Sequence, residues 1–455
     1  MLRLAAQRHQ RTFLTNIRFY STQNTPLLDE LRARGLIQQT SQGLEDALES
    51  RACIYLGADP TARSLHAGHL LPLMVLLHFF ARGHTVIQLV GEGTAQVGDP
   101  SGRSTSRSAT SEDTLKFNTR ALQTQLSTIF TNAQELLKRS GCQTAGELVA
   151  VNNADWWRNM NLVHFMSSIG PHLRLNQMLS RESVKARLQS DAGLGYNEFS
   201  YQALQAYDFW YLQQKHKCNI QLGGNDQWGN ITAGLDLVSR LGGKAYGITV
   251  PLLTTPSGEK FGKSAGNAVF LDSSLTPKFQ LYQHFIRAPD SVVESYLKMF
   301  TFIPLPEIER IVTEHNNAPE SRTAQKVLAE RVVDLIYGPG AGNLVSQSAD
   351  LIYGKFKSQT LRPSADDLLT VFEGDSFVQE VPRTVVGEPI LSLLKKVYPE
   401  SAASLKRSLQ EGSVYIGPDL LSADLKTILE DHHLVDHQLV LVRLGKKNVA
   451  LAKLV

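Results

Sequence analysis

Residues 52–90 constrain the fold more than any other stretch of this chain. Ala52-Cys53-Ile54-Tyr55-Leu56 is an apolar run of strand length. Gly57-Ala58-Asp59-Pro60-Thr61 ends it in a turn. Leu70-Leu71-Pro72-Leu73-Met74-Val75-Leu76-Leu77-His78-Phe79-Phe80 is long enough for a buried helix. Pro72 falls in its first turn, where a missing N–H is tolerated. His84-Thr85-Val86-Ile87-Gln88-Leu89-Val90 reads as the next strand. Strand, glycine turn, helix and strand make a βαβ unit with a ligand-sized opening at the first turn. The glycines do not follow G-x-G-x-x-G, so the unit is not read as a dinucleotide site.

Two motifs sit on this frame. His66-Ala67-Gly68-His69 stands between the turn and the helix, and Lys260-Phe261-Gly262-Lys263-Ser264 follows far downstream. Holding a triphosphate needs neutral or cationic donors, with small residues that let the backbone come close. Both motifs offer that. Taken alone, the first is equally a partly buried histidine pair at a helix start, and the second a solvated basic turn.

Further segments fall in a telling order. Tyr55-Leu56-Gly57-Ala58-Asp59-Pro60-Thr61-Ala62 is followed by Gly98-Asp99-Pro100-Ser101-Gly102-Arg103, then Tyr201-Gln202-Ala203-Leu204-Gln205-Ala206-Tyr207-Asp208, then Gly223-Gly224-Asn225-Asp226-Gln227-Trp228-Gly229-Asn230. With the two motifs, they make the chain resemble the tyrosyl-tRNA synthetases, class I aminoacyl-tRNA synthetases, from about Leu28 to the C-terminus. Lys-Phe-Gly-Lys-Ser replaces the class-wide Lys-Met-Ser-Lys-Ser, a variant found in the bacterial type of that family. Other readings are a tryptophanyl synthetase, a small nucleotidylyltransferase, or an RNA-binding relative that has lost activation. Tyr55 with Asp208 and the basic C-terminal segment speak against the first two. Intact signatures speak against the third as a sole role.

The resemblance implies roles residue by residue. His66, His69 and Thr61 would sit on the ATP phosphates, and Gly68 would let the adenine approach. Lys260, Lys263 and Ser264, on a glycine-hinged loop, would close on pyrophosphate. Arg103 and Arg107 would add cations after a glycine turn. Tyr201 and Gln205 with Asp99 would take the substrate ammonium, and Asp208 with Tyr55 its phenol hydroxyl. Gly224 and Asp226 would hold the ribose and Gln227 the α-phosphate, with Asp59 and Gln221 lining the same pocket. Asn153 would support them from behind. ATP would be a substrate arriving with Mg²⁺, and no protein-bound metal is expected.

The residues themselves support part of this. Tyr201, Gln205 and Asp208 fall at i, i+4 and i+7 and share one helix face. Polar groups on a stripe flanked by Leu204, Phe209 and Trp210 belong either to solvent or to a ligand. No Ser/His/Asp or Cys/His set stands out. None is needed for amino-acid activation, because a carboxylate is already a nucleophile at neutral pH.

Composition sets the remaining limits. The 455 residues are 42% hydrophobic and 20% charged, enough for two or three domains. A net charge of +3 does not by itself indicate nucleic acid, so an RNA surface must come from local clustering. Cys53, Cys142 and Cys218 are widely spaced and read as reduced thiols. No apolar stretch reaches membrane-spanning length, so no membrane partner is expected. Before Asp29 there is no acidic residue, yet Arg3, Arg8, Arg11 and Arg18 are present, as in a mitochondrial transit peptide. Location in the mitochondrial matrix is therefore expected.

The expected architecture is α/β. A transit peptide (1–20) precedes a Rossmann-like parallel-sheet catalytic domain (21–274), a helical domain on the anticodon side (275–350), a linker (351–386) and a small α+β RNA-binding domain (387–455). Residues 111–139 read as one long helix. In the last segment, 390–397 and 402–410 read as helices, and 414–416, 437–441 and 449–451 as strands. Lys395, Lys396, Lys406, Arg407, Arg443, Lys446 and Lys447 give it basic character, which fits either a solvated face or a phosphate backbone. The resemblance adds the partners: tyrosine, tRNA(Tyr) and a second copy of the chain, with the homodimer interface around 152–189.

Overall fold

Apolar strands paired in parallel and covered on both faces organise the N-terminal part of the chain. The computed structural model describes residues 25–101, 110–142, 145–189, 193–254, 263–264, 267–354, 362–445 and 448–455, with backbone only at 183, 263, 264 and 267. The expected transit peptide, Arg103, Arg107, Lys260, Lys446 and Lys447 lie outside the described residues, as do the side chains of Lys263 and Ser264. Contacts divide the chain into two units. The first comprises residues 1–270, 289–324 and 335–337, and the second 271–288, 325–334 and 338–455. The helices between 275 and 350 are thus shared between both units.

The first unit is built on a six-stranded sheet: β1 (Gln39–Thr40), β2 (Cys53–Ala58), β3 (Thr85–Val90), β4 (Glu147–Asn152), β5 (Ile220–Gly224) and β6 (Tyr246–Val250). Their order is β1-β6-β5-β2-β3-β4, and every pair is parallel except β1 with β6. From β2 the chain winds outward through β3 to β4, then returns to β5 on the other side of β2 and continues to β6. That reversal makes the C-terminal ends of β2 and β5 a topological switch point, where open α/β sheets place their ligands. The strands expected at 52–56 and 84–90 both form, shifted by one or two residues.

Helices cover both faces. α1 (Leu70–Ala81) is buried at every position except Pro72, as its largely apolar sequence requires, and lies against β2, β3, β5 and β6. α2 (Glu112–Arg139) is the long helix expected, and Ser111 Oγ caps it by accepting from Thr114 N. On the opposite face α3 (Tyr196–His216) packs along α4 (Trp228–Arg240). Phe209 and Leu212 of α3 and Ala233 and Leu237 of α4 form one core with Cys53 and Tyr55 of β2. A two-residue hairpin, β7 (Lys263–Ser264) with β8 (Asn267–Ala268), lies beyond β6.

The second unit ends in an α+β fold. β9 (Val378–Val381), β10 (Val414–Ile416), β11 (Leu421–Ala423), β12 (Leu434–Val435), β13 (Leu439–Leu444) and β14 (Asn448–Leu454) form a sheet of order β11-β10-β13-β14-β9, with β12 on β13. Helices Ile390–Val397 and Ala402–Gln410 form as expected and bury Leu393, Leu394, Leu405 and Leu409 with Val414, Val440 and Val442. The stretch read as a loop-rich linker carries helix Ala365–Val371 and strand β9. β9 pairs in parallel with β14, a partner about seventy residues away that local pattern does not reveal.

The α3–α4 contact supports the sheet end where ligands would bind. A Cβ on Gly234 would lie 2.8 Å from Phe209 Cδ1 and 3.1 Å from Gln221 Oε1. The Phe209 ring in turn lies 5.3 Å from that of Tyr55. Helix propensity alone favours Gly234→Ala by about 1 kcal/mol. Overpacking of this kind costs about 1–3 kcal/mol and should win. We expect Gly234→Ala to lower the urea midpoint with an unchanged slope. A raised midpoint would mean that Phe209 yields freely.

Candidate active site

A cavity of about 590 Å³ opens at the switch point. Among its lining residues are Tyr55, Asp59, Thr61, His66, Gly68, His69, Asp99, Tyr201, Gln205, Asp208, Gln221, Gly224, Asp226 and Gln227. The described site residues expected from sequence thus meet in one place, except Lys263 and Ser264, for which only backbone is described. They come from the end of β2, the turn before α1, the loop after β3, one face of α3, and β5 with the turn that follows it.

The His-Ala-Gly-His segment is a 3-10 turn, Ala67–His69, leading into α1. His66 Nδ1 accepts from Gly68 N at 3.1 Å, and His69 Nδ1 accepts from His66 N at 3.1 Å. An accepting Nδ1 carries no proton, so the neutral ring carries it on Nε2. The two rings face each other 3.9 Å apart. His69 is exposed where it opens onto the cavity. Desolvation by the protein on its other sides, and then the neighbouring His66, lower its pKa below the ordinary histidine value, to about 3. The turn therefore presents neutral Nε2–H donors rather than imidazolium charges. Ala67 N donates to Val269 O and holds the turn in place.

Behind the turn, buried polar groups form a continuous chain. Tyr201 Oη donates to Asp59 Oδ2 at 2.9 Å, and Thr94 Oγ1 to Asp59 Oδ1 at 3.0 Å. Asn153 Nδ2 reaches Thr94 Oγ1 at 2.9 Å and Asp208 Oδ2 at 3.0 Å. Asp208 Oδ1 accepts from Trp156 Nε1 and Trp157 Nε1, each at 2.7 Å. Gly91 has no side chain for a direct reason: a Cβ there would sit 2.3 Å from Asp59 Oδ1. A second cluster surrounds Asp99, which accepts from Gln227 Nε2 at 2.7 Å, Ser101 N at 3.0 Å and Asn230 Nδ2 at 3.3 Å. Gln205 Nε2 touches Gln227 Oε1 at 3.4 Å. The Asp226 carboxylate leans on Gly224, where a Cβ would lie 2.6 Å from its Oδ1.

Buried cavity-lining atoms without a hydrogen-bond partner among the described residues include Tyr55 Oη, Gln221 Oε1 and the side-chain amide of Gln88. Tyr55 is 1% and Gln221 2% exposed. These two residues are paired in register on β2 and β5. Burial and then the Asp208 charge push the Tyr55 hydroxyl pKa well up, so it stays protonated. Burial also raises Asp208, to about 7, against the pull of Asn153, Trp156 and Trp157. An unpartnered buried polar atom costs about 1–3 kcal/mol, which a ligand group placed there recovers.

Sequence reading missed Thr94, Ser101, Asn230 and the two tryptophans. Trp156 and Trp157 were within reach, since they follow Asn153 in Asn-Ala-Asp-Trp-Trp, but nothing local says that both indoles turn inward. Among the described residues no group of three or more His, Cys, Asp or Glu could hold a metal ion, and no helix is long and apolar enough to cross a membrane.

Residues 47–354 match the family model of class I tRNA synthetases (W and Y). The chain is 39% identical over 436 residues to the mitochondrial tyrosine–tRNA ligase of Saccharomyces cerevisiae, covering 92% of this chain and 87% of the relative. It is 40% identical over 410 residues to the human mitochondrial tyrosine–tRNA ligase, covering 88% and 83%. This chain belongs to the tyrosyl-tRNA synthetases of class I. Among solved structures, a C-terminally truncated mitochondrial tyrosyl-tRNA synthetase of Aspergillus nidulans superposes with a TM-score of 0.66 at 34% identity, over 76% of this chain and 98% of that one. The cavity lies within the part of the chain that the family model covers, at the strand ends of the parallel sheet.

The raised Asp208 pKa has a thermodynamic signature. An unfolded aspartate releases its proton near pH 4, whereas the folded group keeps it to about 7. Between those values the folded state binds more protons than the unfolded one, so this group's contribution to stability falls as pH rises through the window. Asp208→Asn should remove that slope, bringing unfolding midpoints at about pH 5 and about pH 7.5 closer together. An undiminished difference would mean that Asp208 is ionised throughout.

Proposed function

We propose that this enzyme activates tyrosine with MgATP and transfers it to tRNA(Tyr) in the mitochondrial matrix. One observation carries the choice of amino acid: the buried, partnerless Tyr55 hydroxyl beside the Asp208 carboxylate. Such a pair suits a phenol, which can donate to Asp208 and accept from Tyr55. Phenylalanine would leave the Tyr55 hydroxyl unpaired and one acceptor direction of Asp208 unused. At the other end of the amino acid, Asp99, Tyr201 and Gln205 would take the ammonium, with Asp59 adding negative charge through its bond to Tyr201. Gln221 would line this pocket. Gly224 and Asp226 would hold the ribose, and Gln227 the α-phosphate.

In the first step a tyrosine carboxylate oxygen attacks the α-phosphorus. A C–O–P linkage forms and the bond to the bridging oxygen breaks, releasing magnesium pyrophosphate. No general base is required. His66 and His69 donate through Nε2–H to the phosphates with Thr61, while Gly68 leaves room for the adenine. Lys260, Lys263 and Ser264 would meet the leaving pyrophosphate. In the second step a terminal ribose hydroxyl of the tRNA attacks the activated carbonyl and AMP leaves.

The matrix location draws on the arginine-rich, acid-free start and on relatives named as mitochondrial. A homodimer draws on Leu162, Val163, Met166, Leu175 and Leu188, large apolar side chains exposed in the segment expected to meet a second copy, with Leu162 and Val163 at 74%. We assign tRNA contact to the C-terminal α+β fold. Lys395, Lys396 and Lys406 are exposed on its helices, whereas Arg407 pairs with Glu411 and Arg443 lies over the Tyr415 ring.

ATP–pyrophosphate exchange with each proteinogenic amino acid tests the reading. Tyrosine alone should drive exchange, and exchange driven by tryptophan instead would overturn it. Tyr55→Phe should lose about 1–2 kcal/mol of preference for tyrosine over phenylalanine. Full wild-type preference would remove Tyr55 from the hydroxyl-reading role.

The tRNA assignment needs a gentler variant than deletion, because cutting at Gly387 would strip β9 of its neighbour β14. Replacing Lys395, Lys396 and Lys406 by glutamine should leave exchange intact. It should raise the tRNA concentration needed for charging and flatten its salt dependence. Unchanged charging at limiting tRNA would move the contact elsewhere.

A further inference from the structure

Asp208 is held by more donors than reading one phenol requires. A carboxylate offers about four acceptor directions. Two indole N–H groups converge on Oδ1 at 2.7 Å each, and the Asn153 amide takes one direction on Oδ2. One direction then remains in a residue that lines the cavity. The two indoles come from adjacent residues of the short helix Ala154–Trp157. Trp156 is fixed by stacking on Tyr211, with ring centres 4.3 Å apart. Trp157 is fixed edge-on against Phe165 at 5.6 Å and against Tyr207 at 5.0 Å.

A glycine makes room for this second indole. A Cβ on Gly93 would lie 3.0 Å from Trp157 Cδ1, 3.2 Å from Trp157 Cβ and 3.2 Å from Asn153 Oδ1. Gly93 N also donates to Asn153 Oδ1 at 2.7 Å. The same backbone therefore seats two of the three donors to Asp208. Trp157 is only half-buried, so packing alone gives little reason for this fit.

We propose that Trp157 is a positioning residue for amino-acid selection, its indole N–H sharing Oδ1 with that of Trp156 so that the last acceptor direction of Asp208 meets the substrate phenol. The proposal rests on the cavity being a tyrosine site. The charged and titratable groups around Asp208 are Asp59 at the end of β2, Tyr55 within β2, and Tyr201 and Tyr207 on α3. Burial and Asp59 disfavour the carboxylate, while the three N–H donors favour it, leaving the group near pH 7. Loss of one donor moves the balance toward the protonated acid, which cannot accept the phenol's proton as a carboxylate does.

Trp157→Phe removes the N–H and keeps a ring against Phe165 and Tyr207. Tyrosine binding is measured by equilibrium dialysis without ATP, from about pH 6 to about pH 8.5. We expect the pH at which affinity falls to rise by about one unit. At about pH 7 the variant should bind about fivefold more weakly, approaching about tenfold near pH 6, and near pH 8.5 it should approach wild type. ATP affinity should not change. Weakening by the same factor at every pH, or no weakening, would overturn the positioning role. If Trp157→Phe fails to fold, 3-benzothienylalanine at position 157 keeps the shape of indole without its N–H, and the same shift is required of it. Failure of the wild-type enzyme to bind tyrosine at all would instead overturn the tyrosine reading, and this inference with it.

Discussion

The reversal of winding between β2 and β5 is the constraint on which the rest of the site depends. Parallel strands must be buried, so their residues are apolar and can do little chemistry. Chemistry is confined to the strand ends. At Gly57-Ala58 of β2 and Gly223-Gly224 of β5 the chain departs in opposite directions and leaves an opening between neighbouring strands. The polar groups named above reach that opening from strand ends, from the loop after β3, from the turn before α1, or from one face of α3. Residues far apart in sequence therefore meet without any long excursion of the chain.

The polar side chains that wall this opening are largely buried, so they must satisfy one another. The chain Tyr201–Asp59–Thr94–Asn153–Asp208 does this with almost no slack. Thr94 is the hinge of that chain, because its hydroxyl donates to Asp59 while accepting from Asn153. In a low-dielectric pocket a fully bonded network is rigid, and a missing bond is expensive. The partnerless Tyr55 Oη and Gln221 Oε1 are conspicuous for that reason. The groups around them have no freedom to turn and compensate, so a ligand that supplies the missing partner gains nearly the full value of the bond.

Legibility from sequence followed locality. β2, α1 and β3 were readable because burial on both faces makes their apolar runs continuous. β4 was not, since Glu147–Asn152 is only partly buried and carries exposed Glu147. β9 was not, because Val-Gln-Glu-Val becomes a strand only through its pairing with β14. Within the site, the stripe of Tyr201, Gln205 and Asp208 was visible as helical spacing, and spacing left open whether it faced solvent or a ligand. Its burial against β2 decides that. Thr94 and Trp157 stayed hidden for a different reason. Their significance arises where separate segments converge, and neither residue is unusual in its own neighbourhood.

The charge arrangement follows from the same geometry. Asp59, Asp99, Asp208 and Asp226 all face one cavity, a hostile place for a polyanion such as ATP. Neutral amide, indole and hydroxyl donors tie down the first three, so their charge is spread over fixed hydrogen bonds. At the turn before α1 the two histidines also present neutral donors, their Nδ1 atoms committed to backbone N–H groups. A neutral N–H aimed at a phosphate gains strength as negative charge accumulates there. It gains far less from the charge already present in the ground state than an imidazolium would. On the proposed reading, histidines whose Nδ1 atoms are committed to backbone N–H groups serve the leaving pyrophosphate as neutral donors, and full cationic charge is left to the lysines of the downstream motif.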